Sequence, residues 1–194
     1  MTTKKLIHKD THKKSSSSIR WYFSDLWNFV KNYDYKLIGK PYGCQPMLET
    51  WINDESLKEY HDIISNYTRP GIEHEELPFI DYADFTLGNS LGIAEGIAIC
   101  NPESKIFVII SDAQMNMGVV QEAISSIGSK CLKNILLVVD YNFTGSRGDL
   151  LVLPEIEYDG WCTSVIRDPQ KLGHLDKNYP NLWVYCKDLR NGNK

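Results

Sequence analysis

Apolar positions change period several times along this chain, and the changes divide it into elements. From Ile19 to Val30 the residues Trp21, Tyr22, Leu26, Trp27, Phe29 and Val30 recur with a helical period. This predicts an amphipathic helix with Asp25 and Asn28 turned to solvent. Gly39-Lys40-Pro41-Tyr42-Gly43 predicts a loop. Met47 to Ile52 and Leu57 to Ile64 read as short helical pieces, and Thr68-Arg69-Pro70-Gly71 breaks the chain again. Gly71 to Phe85 has no clear period and is expected to wrap over a surface.

The pattern sharpens after Thr86. Gly88, Gly92 and Gly96 recur every four residues. They predict a helix with one face bare of side chains, open to a close backbone approach, and Asn101-Pro102 ends it. Lys105 to Ile110 is rich in β-branched residues and reads as a buried strand. Val119, Val120, Ala123, Ile124 and Ile127 then follow helical spacing, and Asn134 to Val139 reads as a second buried strand. Strand, helix and strand in this order form a βαβ unit whose two strands are parallel and adjacent. Cys162 to Ile166 and Leu182 to Cys186 are further strand candidates. The element order predicts an α/β fold, a parallel sheet with helices on both faces. One domain is expected over residues 19–194. A basic arm, 1–18, precedes it, closes on a run of serines, and is expected to be flexible or partner-bound.

Composition narrows the function classes. A net charge of −4 gives no electrostatic footprint for nucleic acid or an acidic membrane surface. No run reaches the ~18 apolar residues of a membrane span, and the amino terminus lacks the apolar core of a secretory leader. Five cysteines stand at 44, 100, 131, 162 and 186 without a C-x-x-C pair. Reduced, mostly buried thiols in a cytoplasmic protein are expected, and the wide spacing speaks against zinc. His8, His12, His61 and His174 show no matched ligand spacing either.

In a parallel sheet ligands bind beyond the carboxyl ends of the strands. Asp112 falls just past the first central strand, and Asp140, Tyr141 and Asn142 fall at the end of the second. A carboxylate, an amide oxygen and a backbone carbonyl form an incomplete set of hard oxygen ligands. Mg²⁺ suits such a set, because phosphate and water complete its octahedron. The helix beginning near Gly118 and the Thr86-Leu87-Gly88 turn offer backbone N–H groups to an anion. Any βαβ unit, however, places polar residues at its strand ends. Walker A and G-x-G-x-x-G sequences are both missing.

At these positions the chain resembles the transketolase family. Thr86-Leu-Gly-Asn-Ser-Leu-Gly-Ile-Ala-Glu-Gly-Ile-Ala98 is similar to the family's S/P-L-G-Q-G-L-S-x-A-x-G-x-A. Ser111-Asp-Ala-Gln-Met-Asn-Met-Gly118 is similar to the thiamine-diphosphate motif G-D-G-E-x-x-E-G, followed here by Glu122-Ala123. Asn134 to Asn142 resembles N-L-x-x-I-x-D-x-N with the same Asp-to-Asn spacing. Gly160-Trp161 and Pro180 to Lys187 resemble later family segments. The likeness covers Gly71 to the carboxyl terminus.

The resemblance implies the thiamine-diphosphate-binding fold, in its diphosphate half, with thiamine diphosphate and Mg²⁺ as cofactors. Asp112 and Asn142 would bind the metal by side chain and Thr144 by its carbonyl oxygen. Ala113 would offer its N–H to the diphosphate, and Leu87 and Gly88 would line the middle of the cofactor. His74 stands where the family has a substrate-facing histidine; a solvated loop histidine is the other reading of that residue. Several positions depart from the motifs. Ser111 and Ala113 replace glycines, Gln114 and Met117 replace acids, Ser90 replaces a glycine, and no histidine follows Gly43.

The family's activating glutamate lies in a pyrimidine-binding domain, and no such domain is expected within these residues. The resemblance therefore implies one subunit of a split enzyme that transfers a two-carbon ketol unit. It would be paired with a separate pyrimidine-domain chain in a homo- or hetero-oligomer. The altered motifs keep open a second reading, a non-catalytic structural or interaction protein on the same fold. In that reading the basic arm and aromatic helix dock on a larger assembly, although Trp21 and Trp27 equally suit packing on the sheet.

Overall fold

The computed structural model describes residues 22–39, 51, 54–60, 77–83, 87–141, 144–145, 148–149, 156–167 and 172–186. The arm 1–18, the loop 40–43, His61, His74 and Asn142 lie outside the described residues. Six parallel strands form one sheet in the order β2-β1-β3-β4-β8-β7. They are β1 (Tyr35–Ile38), β2 (Tyr82–Ala83), β3 (Ile106–Ser111), β4 (Ile135–Tyr141), β7 (Cys162–Ile166) and β8 (Asn181–Cys186). A short antiparallel pair, β5 (Thr144–Gly145) and β6 (Gly148–Asp149), stands apart from it. The helices are α1 (Tyr22–Val30), α2 (Asn89–Cys100), α3 (Asp112–Met115) and α4 (Gly118–Ser129), with a 3₁₀ helix at Glu55–Tyr60.

Alternation along the central strands explains why both faces are covered. In β3, Phe107 and Ile109 join one core with Leu26, Trp27 and Val30 of α1, Trp51 and Trp183. Ile106, Val108 and Ile110 join the opposite core, with Leu91, Ala94 and Ala98 of α2 and Val120, Ala123, Ile124 and Ile127 of α4. Strands buried on both faces carry no polar stripe, so β3, β4 and β8 read as continuous apolar runs. Trp27 settles the reading of the aromatic helix: its ring lies 4.8 Å from that of Trp51, and its Nε1–H donates to Asp54 at 3.0 Å. It is a core residue; Trp21 lies outside the described residues.

Some expectations need correction. The segment expected only to wrap over a surface contributes β2, pairing Tyr82 and Ala83 with Leu37 and Ile38. Among the described residues the bare face of the glycine helix makes no backbone contact. Among the described residues nothing lies within 4 Å of where a Cβ on Gly92 or Gly96 would stand. Close approach occurs at Gly88 alone of the three. It caps α2 at φ +95°, and a Cβ there would meet Val119 Cγ1 at 2.8 Å. Among the described residues the thiols are not mostly buried, and Cys44 lies outside those residues. Cys186 is buried and Cys162 partly so, whereas Cys100 and Cys131 are exposed. Cys100 closes α2 on its outer side, and Cys131 occupies the turn after α4 at φ +50°.

Candidate functional site

The carboxyl edge of the sheet gathers the predicted site. Ser111 of β3 pairs with Asp140 of β4, so Asp112 emerges beside the end of the neighbouring strand. Asp112 and Asp140 are both buried, at 0% and 4% exposure. The chain turns at once into α3, and α3 lies against β5, which brings the Thr144 backbone toward Asp112. Two twelve-residue helices also start at this edge. α2 begins after Gly88 and α4 begins at Gly118, and Gly88 packs on Val119 and Val120 in the first turn of α4. Among the described residues neither first turn contains an acid and neither cap has a side-chain hydrogen bond, and a helix N-terminus of this kind favours an anion.

The departures from the family motif have local explanations. Among the described residues Cys131 is the one non-glycine with positive φ. Ala113 therefore needs no glycine conformation, and Ser111 is extended at φ −89° and ψ 160°. Gln114 does what a glutamate does three residues past a cap: its Oε1 accepts the Ser111 N–H at 3.1 Å. Its side chain is buried against Gly39, where a Cβ would come within 2.4 Å of Oε1. Its Nε2 has no hydrogen-bond partner among the described residues. An orphaned buried donor is costly, and here it stands at the edge where a ligand is expected.

Electrostatics at the edge follow from burial and charge. Burial pushes the Tyr141 hydroxyl above its ordinary pKa, and the charges of Asp112, Cys186 and Tyr158 push it the same way. Tyr158 accepts an N–H from Gln121 of α4 at 3.0 Å. On the outer side of the same helices, Lys130 of α4 meets Glu95 of α2 at 2.8 Å.

Of the predicted residues, Leu87, Gly88, Asp112, Ala113 and the Thr144 backbone fall at this one edge. Leu87 is 39% exposed. The Ala113 N–H, assigned to the diphosphate, donates at 2.8 Å to the carboxylate of Asp112. A cleft of about 520 Å³ lies along the edge strand β7, three strands across the sheet from β3, lined by Ser164 to Arg167 and Leu172 to His174.

A parallel sheet with helices on both faces, with Asp112 and Asp140 buried at its carboxyl edge, defines an α/β domain of the open parallel-sheet class. Within that class the fold is that of the thiamine-diphosphate-binding domain of transketolases. The structure superposes on transketolase from Leishmania mexicana with a TM-score of 0.60 at 15% identity, covering 87% of this chain and 30% of that one. With transketolase from Campylobacter jejuni the TM-score is 0.59 at 16% identity, covering 89% and 37%. In sequence, 73 residues are 36% identical to 1-deoxy-D-xylulose-5-phosphate synthase from Fusobacterium nucleatum, covering 38% of this chain and 12% of that protein. No family model matches the chain. It thus spans about a third of each of these solved transketolases and a smaller share of the synthase.

Proposed function

We propose that this chain binds the diphosphate of thiamine diphosphate, with Mg²⁺, as one part of a transketolase-like enzyme. The observation that carries the reading is the burial of Asp112 at the end of β3, with the Thr144 strand set against α3 and two helix N-termini open at the same edge. A carboxylate and a backbone carbonyl suit Mg²⁺, which takes its remaining ligands from phosphate and water. In this reading Asp112, Asn142 and the Thr144 carbonyl hold the metal. Ala113, Leu87 and Gly88 line the cofactor, and His74 faces the substrate. The cofactor supplies an electron sink for breaking a C–C bond next to a carbonyl. The chain's own residues would hold the metal that offsets the diphosphate charge, orient the diphosphate at the helix N-termini and keep the buried Asp112 and Asp140 from water.

We place the pyrimidine-binding domain on a separate partner chain, with transfer of a two-carbon ketol unit as the joint activity. The free thiols of Cys100, Cys131 and Cys162 support a reducing, cytoplasmic setting. A non-catalytic scaffold is the second reading. It is favoured by the neutral Gln114 and by the engagement of the Ala113 N–H with Asp112.

Calorimetric titration of thiamine diphosphate with Mg²⁺ tests the proposal, beside Asp112→Ala and Asn142→Ala. Metal-dependent binding, lost in both folded variants, is expected. Absence of binding up to millimolar ligand, with and without co-purifying chains, would leave the scaffold reading.

A further inference from the structure

Three potential metal ligands that look unrelated in the sequence meet at the amino edge of the sheet. Cys162 is the first residue of β7, whereas His174 and Asp176 lie on the strap that returns from β7 to the start of β8. The Cys162 Sγ, a His174 ring nitrogen and an Asp176 carboxylate oxygen all lie within 4.8 Å of one another. Their backbones are held independently of any ion. Cys162 N–H donates to Pro180 O at 2.9 Å. His174 N–H donates to Ser164 Oγ at 3.1 Å, and its carbonyl accepts the Trp183 Nε1–H at 2.9 Å. Gly173 lies flat on the same indole, where a Cβ would meet Nε1 at 2.4 Å. Asn181 clamps Asp176 from both sides, accepting its N–H at 2.7 Å and donating to its carbonyl at 3.0 Å.

We propose that Cys162, His174 and Asp176 bind one Zn²⁺ ion. A thiolate, an imidazole and a carboxylate are the donors that zinc combines, and the thiol selects against Mg²⁺. Zinc bonds of about 2.0–2.3 Å hold ligand atoms about 3–4 Å apart in a tetrahedron, so side-chain rotation alone closes the set around an ion. Water fills the fourth position, and the thiol proton leaves to solvent on binding. The ion ties edge strand β7 to the strap that crosses to β8. The site lies at the opposite end of the strands from Asp112, so it stands apart from the proposed cofactor site.

Titration of the untagged full chain with Co²⁺, followed by displacement with Zn²⁺, tests the site. One equivalent of Co²⁺ should give a thiolate charge-transfer band and tetrahedral d–d bands, removed by one equivalent of Zn²⁺. Cys162→Ser should abolish the charge-transfer band. His174→Gln and Asp176→Asn should each weaken Zn²⁺ binding at least ~10-fold. All three positions lie outside both apolar cores, and Asp176→Asn keeps the Oδ1 that accepts the Asn178 N–H. Zn²⁺ at a hundred times its Kd should raise the wild-type Tm by about 5–10 °C, and by less in every variant. Absence of the charge-transfer band in the folded wild type would overturn the proposal, as would its persistence in Cys162→Ser. Equal Zn²⁺ affinity in wild type and in the His174 and Asp176 variants would overturn it too.

Discussion

Gly128 and Gly160 meet backbone to backbone. A Cβ on Gly160 would lie 2.4 Å from the Gly128 carbonyl oxygen, and one on Gly128 would lie 2.4 Å from the Asp159 carbonyl oxygen. Gly160 also takes φ +77°, which side chains resist. The contact fixes the end of α4 against the turn that enters β7. Trp161 closes it by donating its Nε1–H to Ile124 O of α4 at 2.9 Å.

Gly160→Ala is therefore expected to cost about 2–4 kcal/mol, combining left-handed strain with overpacking against backbone that cannot rotate away. Trp161→Phe keeps one aromatic ring and loses the pyrrole ring with its hydrogen bond, at about 1–2 kcal/mol. Denaturant melts of both variants check the order. A Gly160→Ala protein as stable as wild type would contradict the contact.

Gly88 holds the entry to α2 against α4. Gly88→Ala adds strain at φ +95° and a Cβ 2.8 Å from Val119. A loss of about 1–2 kcal/mol is expected from the backbone alone. Affinity for thiamine diphosphate should fall with it, because both helix ends at the carboxyl edge move. Melting and the calorimetric titration read the two effects separately.

Glu95 gives a signed pH dependence. Burial raises its pKa, but the hydrogen bonds from Lys130 and Ser126 and the charge of Lys130 outweigh burial and leave it below its ordinary value. A lowered folded-state pKa means that the stabilisation is present above the ordinary carboxylate range and is lost as pH falls through the lowered value. Lys130 is half exposed, so the pair is worth about 0.5–1 kcal/mol. Glu95→Gln should lower stability by that amount at neutral pH and match wild type in acid. Melts across pH check this; a difference that grows toward acid would reverse the assignment.

Ala113 tests the departure from the family's glycine. The residue stands second in α3 without positive φ. Ala113→Gly should therefore lower stability by roughly 0.5–1 kcal/mol and leave cofactor affinity unchanged. Tighter binding by the glycine variant would show that the methyl group crowds the diphosphate.

The central β3–α4–β4 unit was legible because strands buried on both faces write unbroken apolar runs, and the helix between them writes a clear period. The edge of the sheet was not. β1 is four residues running into Gly39, and β2 is two residues held by pairing with β1 rather than by its own pattern. At the candidate site, Asp112 was legible through its place after a strand, together with the motif likeness. The capping role of Gln114 depends on a side chain folding back on Ser111, visible only in three dimensions, although the serine-to-glutamine spacing of a capping box was there to read. The wide spacing of Cys162 and His174 set them aside as metal ligands, and Asp176 was not considered, for a related reason. Their spacing follows from how the strap lies along β7 and β8, whereas compact zinc motifs take theirs from a local turn.

The register that pairs Ser111 with Asp140 has a bearing on amide exchange. Asp112 directly continues β3, which pairs with β4 along its whole length and with β1 from Ile106 to Ile109. Amides there exchange by global opening, while short edge elements exchange by local fluctuation. The inner wall of the candidate cofactor site should therefore be as protected as the centre of the sheet, with or without ligand. Its shape is a property of the folded chain, and binding has little left to order there beyond the rim.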